Sequence, residues 1–439
     1  MQQSCARVAA DLSCLLRPLA PNDFGGHKAY SPLPAASIEM PTAHSTENAR
    51  NTENAGTADK ANDGESMRIG VPKEIKNAEL RVGLTPGSVN ELTRAGHEVL
   101  VECDAGRGVG ASDDDYRQAG ADIAPDAEDL FKAAELIVKV KEPQAIERAR
   151  LEPHHTLFTY LHLAPDAEQT KDLVASGATC IAYESVTDAA GRLPLLAPMS
   201  QVAGRMSIQA GASSLESARG GAGLLLGGVP GVAPAKVVVL GGGVVGANAV
   251  QMALGLGADV SVLDRNPEVL EALANRFGAA LRTLYSTKSV VDEAVLDADL
   301  VIGAVLVPGA AAPKLVTRDH VRAMRRGSVL VDVAIDQGGC FETSRPTTHE
   351  SPTYAVDDIV HYCVANMPGA VPKTSTHALN HATLPFVLQL AESGASAAMA
   401  RNPFLRTGLN VANGHVTEPS VAEAHGYDFV RPESAIHLE

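Results

Sequence analysis

Residues 236–264 read KVVVLGGGVVGANAVQMALGLGADVSVLD, and no other stretch constrains the fold as tightly. An apolar run, Val237 to Leu240, leads into Gly241-x-Gly243-x-x-Gly246; an alanine-rich helical stretch follows, and a second apolar run ends on Asp264. Strand, glycine turn, helix, strand and acid in that order are the layout of a dinucleotide site in a βαβ unit. Gly241 permits the tight turn, Gly243 lets backbone N–H groups approach a pyrophosphate at the positive end of the helix, and Gly246 lets that helix pack closely on the sheet. Asp264 would accept hydrogen bonds from the adenosine ribose hydroxyls. A carboxylate there repels a 2′-phosphate, so NAD is favoured over NADP. Arg265 works against that preference, because a neighbouring guanidinium can neutralise the acid and receive the phosphate. A bare GxGxxG means little in a chain with 39 glycines. Its flanking strands, and the acid about 20 residues on, separate it from a glycine-permitted helix–sheet contact with no ligand.

The surrounding pattern extends this unit into an α/β protein. From Met67 onward, short β-rich runs alternate with helical stretches, which predicts layered α/β architecture. Strands are expected at 68–71, 98–102, 136–140, 156–161 and 179–183, then at 237–240, 259–263, 281–285, 300–306 and 328–333. Helices are expected between them, at 87–95, 126–133 and 167–176, then 244–256, 267–277, 288–297 and 317–325. Two Rossmann-like doubly wound domains in tandem follow, with the active site in the cleft between them. Proline-led helical stretches at 200–217 and 375–391 would carry the chain between the domains. The expected division is a discontinuous substrate and catalytic domain, 67–194 plus 373–439, around a dinucleotide-binding domain, 195–372. Residues 1–66 are polar, carry the repeat-like STENARNTENAGTADKANDGES and lack apolar periodicity. A disordered extension is expected there, and Met67, followed by RIGVPKE, reads as the natural start of an over-long gene product.

Composition closes off several classes. A formal charge of −16, with no Lys/Arg cluster interleaved with aromatics, argues against a nucleic-acid partner. The longest apolar region, Gly223 to Val250, is broken by Pro230, Pro234, Lys236 and several glycines, so no membrane span is expected. The six cysteines have no CxxC spacing and no histidine at metal-ligand spacing, which fits reduced thiols in a cytoplasmic protein without a metal. Cys340 is expected to be a small buried residue.

Candidate chemistry lies at predicted strand ends. Asp336 follows an apolar strand through Val333-Ala-Ile-Asp336-Gln-Gly-Gly339, which would put it at a carboxyl end of the sheet, where open α/β sheets build their sites. Asn366-Met367-Pro368 closes another β-like run. In the first unit, Arg81 lies in a loop after the first strand, Lys141 ends Lys139-Val-Lys141, and His162 ends Leu157-Phe-Thr-Tyr-Leu-His162. Two cations and an imidazole suit a small carboxylate whose neighbouring carbon changes oxidation state. The bland alternatives are solvated surface charges for Arg81 and Lys141, a core histidine for His162, and a helix cap for Asp336.

The segments MRIGVPKEIKNAELRVGLTP, LIVKVKEP, LFTYLHL, LPLLAPMSQVAGR, GGVPGV, LVIGAVLVPG, LVDVAIDQGGCFETSRPTTH and CVANMPGAVPKTST together resemble the L-alanine dehydrogenase family, from Met67 to about Leu390. The resemblance implies NAD-dependent, reversible oxidative deamination of L-alanine to pyruvate and ammonium in a homohexamer. It implies that Arg81 and Lys141 hold the substrate carboxylate and carbonyl oxygen, that His162 is the acid/base, that Asp336 is a second catalytic residue, and that Asn366 lies beside nicotinamide and substrate. On the cofactor side it implies Ser200, Gly241, Gly243, Val244, Val245, Gly246, Asp264, Ser286, Val305, Leu306, Arg345 and Met367. An NAD-binding component of a proton-translocating transhydrogenase shares the two-domain plan and the RVGLTP-like opening. A non-catalytic NAD-binding protein is the reading from outside enzymology.

Overall fold

The computed structural model describes residues 66–305 and 312–438. The expected extension at 1–66 lies almost wholly outside these residues, as does Leu306. Among the described residues, six parallel strands come first: β1 (Arg68–Val71), β2 (Glu98–Glu102), β3 (Asp122–Ala124), β4 (Leu136–Val138), β5 (Thr156–Thr159) and β6 (Thr179–Ala182). Seven follow: β7 (Lys236–Leu240), β8 (Asp259–Asp264), β9 (Leu281–Tyr285), β10 (Leu300–Gly303), β11 (Val329–Asp332), β12 (Thr353–Val356) and β13 (Ile359–Tyr362). The chain ends with β14 (Leu409–Ala412) and β15 (His415–Val416).

The first sheet runs β15-β14-β6-β5-β4-β1-β2-β3, and the second runs β12-β13-β11-β10-β7-β8-β9. In each, the chain starts mid-sheet, winds to one edge, returns and winds to the other, giving the doubly wound order 3-2-1-4-5-6. β14 joins antiparallel to β6, and β12 antiparallel to β13, each extending a parallel core. The reversal of winding leaves a crevice between β1 and β4, and another between β7 and β10. Ligands bind to such sheets at these switch points, beyond the carboxyl ends of the strands.

The local reasons are ordinary. β4, β10 and β11 are buried along their whole length, and β7 and β8 are nearly so, as strands covered by helices on both faces must be. Thr85, Asp126, Asp166, Asn266, Thr287 and Thr317 each cap a following helix through the side chain. Helix α1 (Ala197–Ser214) leads from the first sheet to the second, α2 (Val244–Gly255) follows the glycine turn, and α3 (Pro372–Arg401) leads back. α1 and α2 touch at Gly204, where a Cβ would stand 2.2 Å from the Val245 carbonyl oxygen.

Two strand ends fall short of the sequence expectation for a shared reason. β4 stops at Val138 because Glu74 takes the next backbone N–H groups: its Oε1 accepts from Val140 N at 2.7 Å and Lys141 N at 3.3 Å. β5 stops at Thr159, and the N–H groups of Leu161 and His162 go to the Glu184 carboxylate at 3.1 and 2.6 Å. A carboxylate that intercepts ladder donors ends a strand as effectively as a proline. The unpredicted hairpin β12–β13 turns on Asp357 and Asp358, both at positive φ (50° and 62°), a conformation that Asp tolerates better than most residues. No helix among the described residues is long and apolar enough to cross a membrane.

Candidate functional site

The β1/β4 crevice collects an unusual density of buried charge. Arg81, in the loop after β1, is 2% exposed. Its Nε and Nη2 donate to the two oxygens of Glu79 at 2.6 and 2.5 Å, Nη2 also donates to Asn366 Oδ1 at 2.9 Å, and Nη1 lies 3.1 Å from Met199 Sδ. This geometry overturns the solvated-surface alternative. Burial opposes charge on both groups, but the paired hydrogen bonds prevail: Glu79 is held below the ordinary carboxylate value and Arg81 is raised.

Lys141 stands across the crevice with its side chain 13% exposed, its ammonium 3.9 Å from Glu142 Oε2. Burial pushes its pKa down; the negative charge of Glu142 opposes that, Lys76 and Arg81 reinforce it, and Asp336 opposes it. Behind the Lys141 backbone, Lys139 is fully buried and donates to Glu74 at 3.0 Å and Glu147 at 2.7 Å. Two carboxylates around one ammonium leave excess negative charge in a dry site, and burial drives Glu74 above its ordinary value.

His162 is placed by strain. Its backbone sits at φ 50°, uncommon for a residue other than Gly, Asn or Asp, and Glu184 holds its N–H at 2.6 Å. The ring lies parallel to Tyr160 at a centroid separation of 5.8 Å and leaves Nδ1 3.7 Å from Glu184 Oε1. The side chain is 45% exposed, so it is no core histidine. Tyr160 is anchored from its far end, its hydroxyl donating to the Leu195 carbonyl at 2.6 Å.

On the second sheet, the turn after β7 has Gly241 at φ 99° with its N–H on the Leu263 carbonyl at 2.8 Å. A Cβ on Gly246 would fall 1.8 Å from the Gly241 oxygen, whereas one on Gly243 would meet nothing within 4 Å. Gly243 begins α2 with no side-chain cap, so the amides of the first turn, those of Val244 and Val245 among them, are left for an outside acceptor. Asp264 Oδ2 accepts from Gly242 N at 2.6 Å and Oδ1 from Asn266 N at 2.8 Å; Ser286 N donates to the Asp264 carbonyl at 2.9 Å. Val305 lies across the β7/β10 crevice, 3.2 Å from where a Gly241 Cβ would be. Ser200 lies in the first turn of α1, the helix packed on α2.

Asn366 joins the second sheet to the β1/β4 crevice. It follows β13 of the second sheet, takes a left-handed conformation (φ 61°, ψ 46°), accepts from Arg81 and donates to Glu79 at 3.1 Å. Met367 beside it is buried. Arg345 does not join this cluster through its guanidinium, which stacks over Tyr354 at 4.0 Å to the ring centroid.

Asp336 requires a correction. It does not end a strand: β11 stops at Asp332, and Asp336 is exposed on the following 3-10 turn, Val333–Gln337. The residue that shapes this turn is Asp332. Its carboxylate accepts from the N–H groups of Ala334, Cys340 and Phe341 and from Ser344 Oγ at 2.5 Å. Cys340 is buried against it.

Sequence reasoning passed over the supporting carboxylates Glu74, Glu79, Glu142, Glu184 and Asp332. One signal was available: Lys139 and Lys141 interrupt an otherwise apolar run, and a buried lysine requires acidic partners.

Comparison with known proteins follows the same lines. A family model described as "Alanine dehydrogenase/PNT, N-terminal domain" matches residues 70–203, and "Alanine dehydrogenase/PNT, C-terminal domain" matches residues 207–419. The alanine dehydrogenase of Halomonas elongata is 61% identical over 370 residues, covering 84% of this chain and 100% of that protein. A solved L-alanine dehydrogenase superposes with a TM-score of 0.80 at 53% identity, covering 82% of this chain and 99% of the other. A transhydrogenase from Sinorhizobium meliloti gives 0.69 at 25% identity, covering 80% and 99%. The chain, with its two doubly wound sheets and the charged crevice between β1 and β4, belongs to the alanine dehydrogenase/PNT family.

Proposed function

We propose that this chain is an NAD-dependent amino-acid dehydrogenase that interconverts L-alanine with pyruvate and ammonium. One observation carries the assignment of the site: the Arg81–Asn366 hydrogen bond ties the loop after β1 to the end of β13 on the second sheet, beside the charge of Lys141. The high identity to alanine dehydrogenases, set against 25% to the transhydrogenase, favours the dehydrogenase reading over its relative.

The second crevice fits a dinucleotide. The open space at Gly243 and the uncapped amides of α2 suit a pyrophosphate, and Asp264 beside the turn suits ribose hydroxyls. Ser200, Gly241, Gly246, Val244, Val245, Ser286, Val305, Leu306, Arg345 and Met367 complete the proposed cofactor set. NAD supplies the electron-pair acceptor for the substrate α-carbon when bound.

The chain's own residues do the rest. Arg81 has Nη1 free of any carboxylate and offers it to the substrate carboxylate, while Glu79 and Asn366 hold its plane. Lys141 meets the carbonyl oxygen and stabilises negative charge developing there. His162, its ring open on one side, moves protons as the substrate passes through imine and carbinolamine. Asp336 assists the water or ammonia from the turn after β11, within electrostatic reach of Lys141. We assign residues 67–194 plus 373–439 to the substrate domain and 195–372 to the NAD domain, with β14 and β15 on the first sheet in support. A homohexamer in the cytoplasm completes the reading.

The deciding assay is spectrophotometric: NADH should form with L-alanine and be consumed with pyruvate plus ammonium by the isolated chain. Silence in both directions would exclude the enzyme. For the cofactor, Asp264→Ala should weaken NAD more than NADP, measured by titration of each. Both will lose some affinity, since Asp264 also anchors Gly242 and Asn266; an unchanged NAD/NADP ratio would refute the ribose role.

A further inference from the structure

Glu142 is the odd member of the β1/β4 crevice. Its Oε1 pairs with the Lys76 ammonium. Its Oε2 is buried and accepts no hydrogen bond, yet lies only 3.9 Å from the Lys141 ammonium. A buried anionic oxygen without a donor is costly, and 3.9 Å exceeds hydrogen-bond reach. A shift of about 1 Å by the flexible lysine would close the contact. Lys141 therefore has one station within a short swing, the free oxygen of Glu142, besides the substrate oxygen that it is proposed to meet.

We propose that Glu142, tethered by Lys76, is a positioning residue that keeps the Lys141 ammonium charged and stationed beside its own free oxygen until substrate draws it across. The proposal rests on the reading of Lys141 as the group that meets the carbonyl. The other charges facing Lys141 come from two places: Lys76 and Arg81 on the loop after β1, and Asp336 on the turn after β11. The two cations disfavour its proton, as does burial, and Asp336 is exposed. Glu142 is thus the principal counter-charge. Its own carboxylate is kept ionised chiefly by Lys141 and Lys76 against the cost of burial. Without it, the amine would sit neutral at a pH where the parent enzyme is charged, and a neutral amine is a poor stabiliser of an oxyanion.

The test is the alkaline limb of kcat/KM for pyruvate in reductive amination, with KM for NADH followed in parallel. Ammonium's own titration is common to every variant and cancels in the comparison. In Glu142→Gln the limb should move toward acid by about one pH unit or more, with KM for NADH unchanged. In Lys76→Met it should move toward alkali, because a like charge is gone and Glu142 is released to pair with Lys141 alone. Opposite displacements are the signature. Limbs that stay in place, or move together, while rates fall at every pH would reduce Glu142 to a structural residue and overturn the proposal. Should Glu142→Gln fail to bind NADH or to melt cooperatively, Lys76→Met decides alone by the direction of its limb. Lys141→Met separates the two levels: retained activity sinks the reading of Lys141 itself, whereas an inactive Lys141→Met with unmoved limbs in the other variants sinks only the positioning role.

Discussion

His162→Ala is expected to lose about 10²–10⁴-fold in kcat while binding NADH as the parent does. The range is that of a lost general acid/base, and the structure explains why the loss should be clean. Glu184 holds the residue by its backbone N–H, so truncating the ring leaves the main anchor of the loop in place. The ring's neighbours are Tyr160 and Glu184, at the ends of β5 and β6 in the first sheet. One complication follows from φ 50°. Alanine resists the left-handed region, so part of any loss in Ala could come from a relaxed loop. Asparagine tolerates that region and has no titratable ring. His162→Asn should therefore match His162→Ala in lost turnover but melt closer to the parent. If NADH affinity falls in step with kcat in both variants, His162 is a structural residue.

Much of this architecture was legible because its signals are local. A buried parallel strand must be apolar along its length, a capped helix must begin with an oxygen-bearing side chain, and a glycine turn against a helix tolerates no Cβ at Gly246. Each rule acts over a few residues, and the doubly wound plan follows from their alternation. The support of the site was hidden because it is non-local. Glu74 reaches Lys139 and Val140 across 65 and 66 residues, and Asn366 reaches Arg81 across 285. Taken alone, Arg81 reads as a solvated charge; only the arrival of Met199 and Asn366 from two distant segments, around its pair with the adjacent Glu79, makes it a buried one. The placement of Asp336 at a strand end went wrong for another reason. The apolar run continues past the last paired residue, and periodicity cannot see that Asp332 has folded its own strand end back on itself. Strand ends at this face are set by carboxylates competing for backbone donors, which no hydrophobic pattern reports.

Arg81→Met should be the most destabilising single change in the site, and its pH dependence should identify the cause. Removing the guanidinium strips Glu79 of both charged donors and leaves a carboxylate buried with only Asn366 and a backbone N–H for company. Breaking a buried pair in this way costs about 3–5 kcal/mol, far more than the pair gains over an apolar substitute. In the parent, the folded value of Glu79 lies below its ordinary 4.5. The pair's contribution to stability is therefore complete above 4.5 and lost as the pH falls through the lower folded value. In Arg81→Met the sign reverses. Burial, no longer opposed by Arg81, raises the folded value, so protonation of Glu79 relieves the variant, and its deficit should shrink as the pH is lowered from neutrality toward the raised value. Chemical denaturation of parent and variant across that range measures the difference. A second substitution, Glu79→Gln on the Arg81→Met background, should recover much of the lost stability at neutral pH without restoring affinity for pyruvate. A deficit that is flat with pH and unrelieved by Glu79→Gln would mean that Arg81 stabilises by packing against Met199 rather than through its charge.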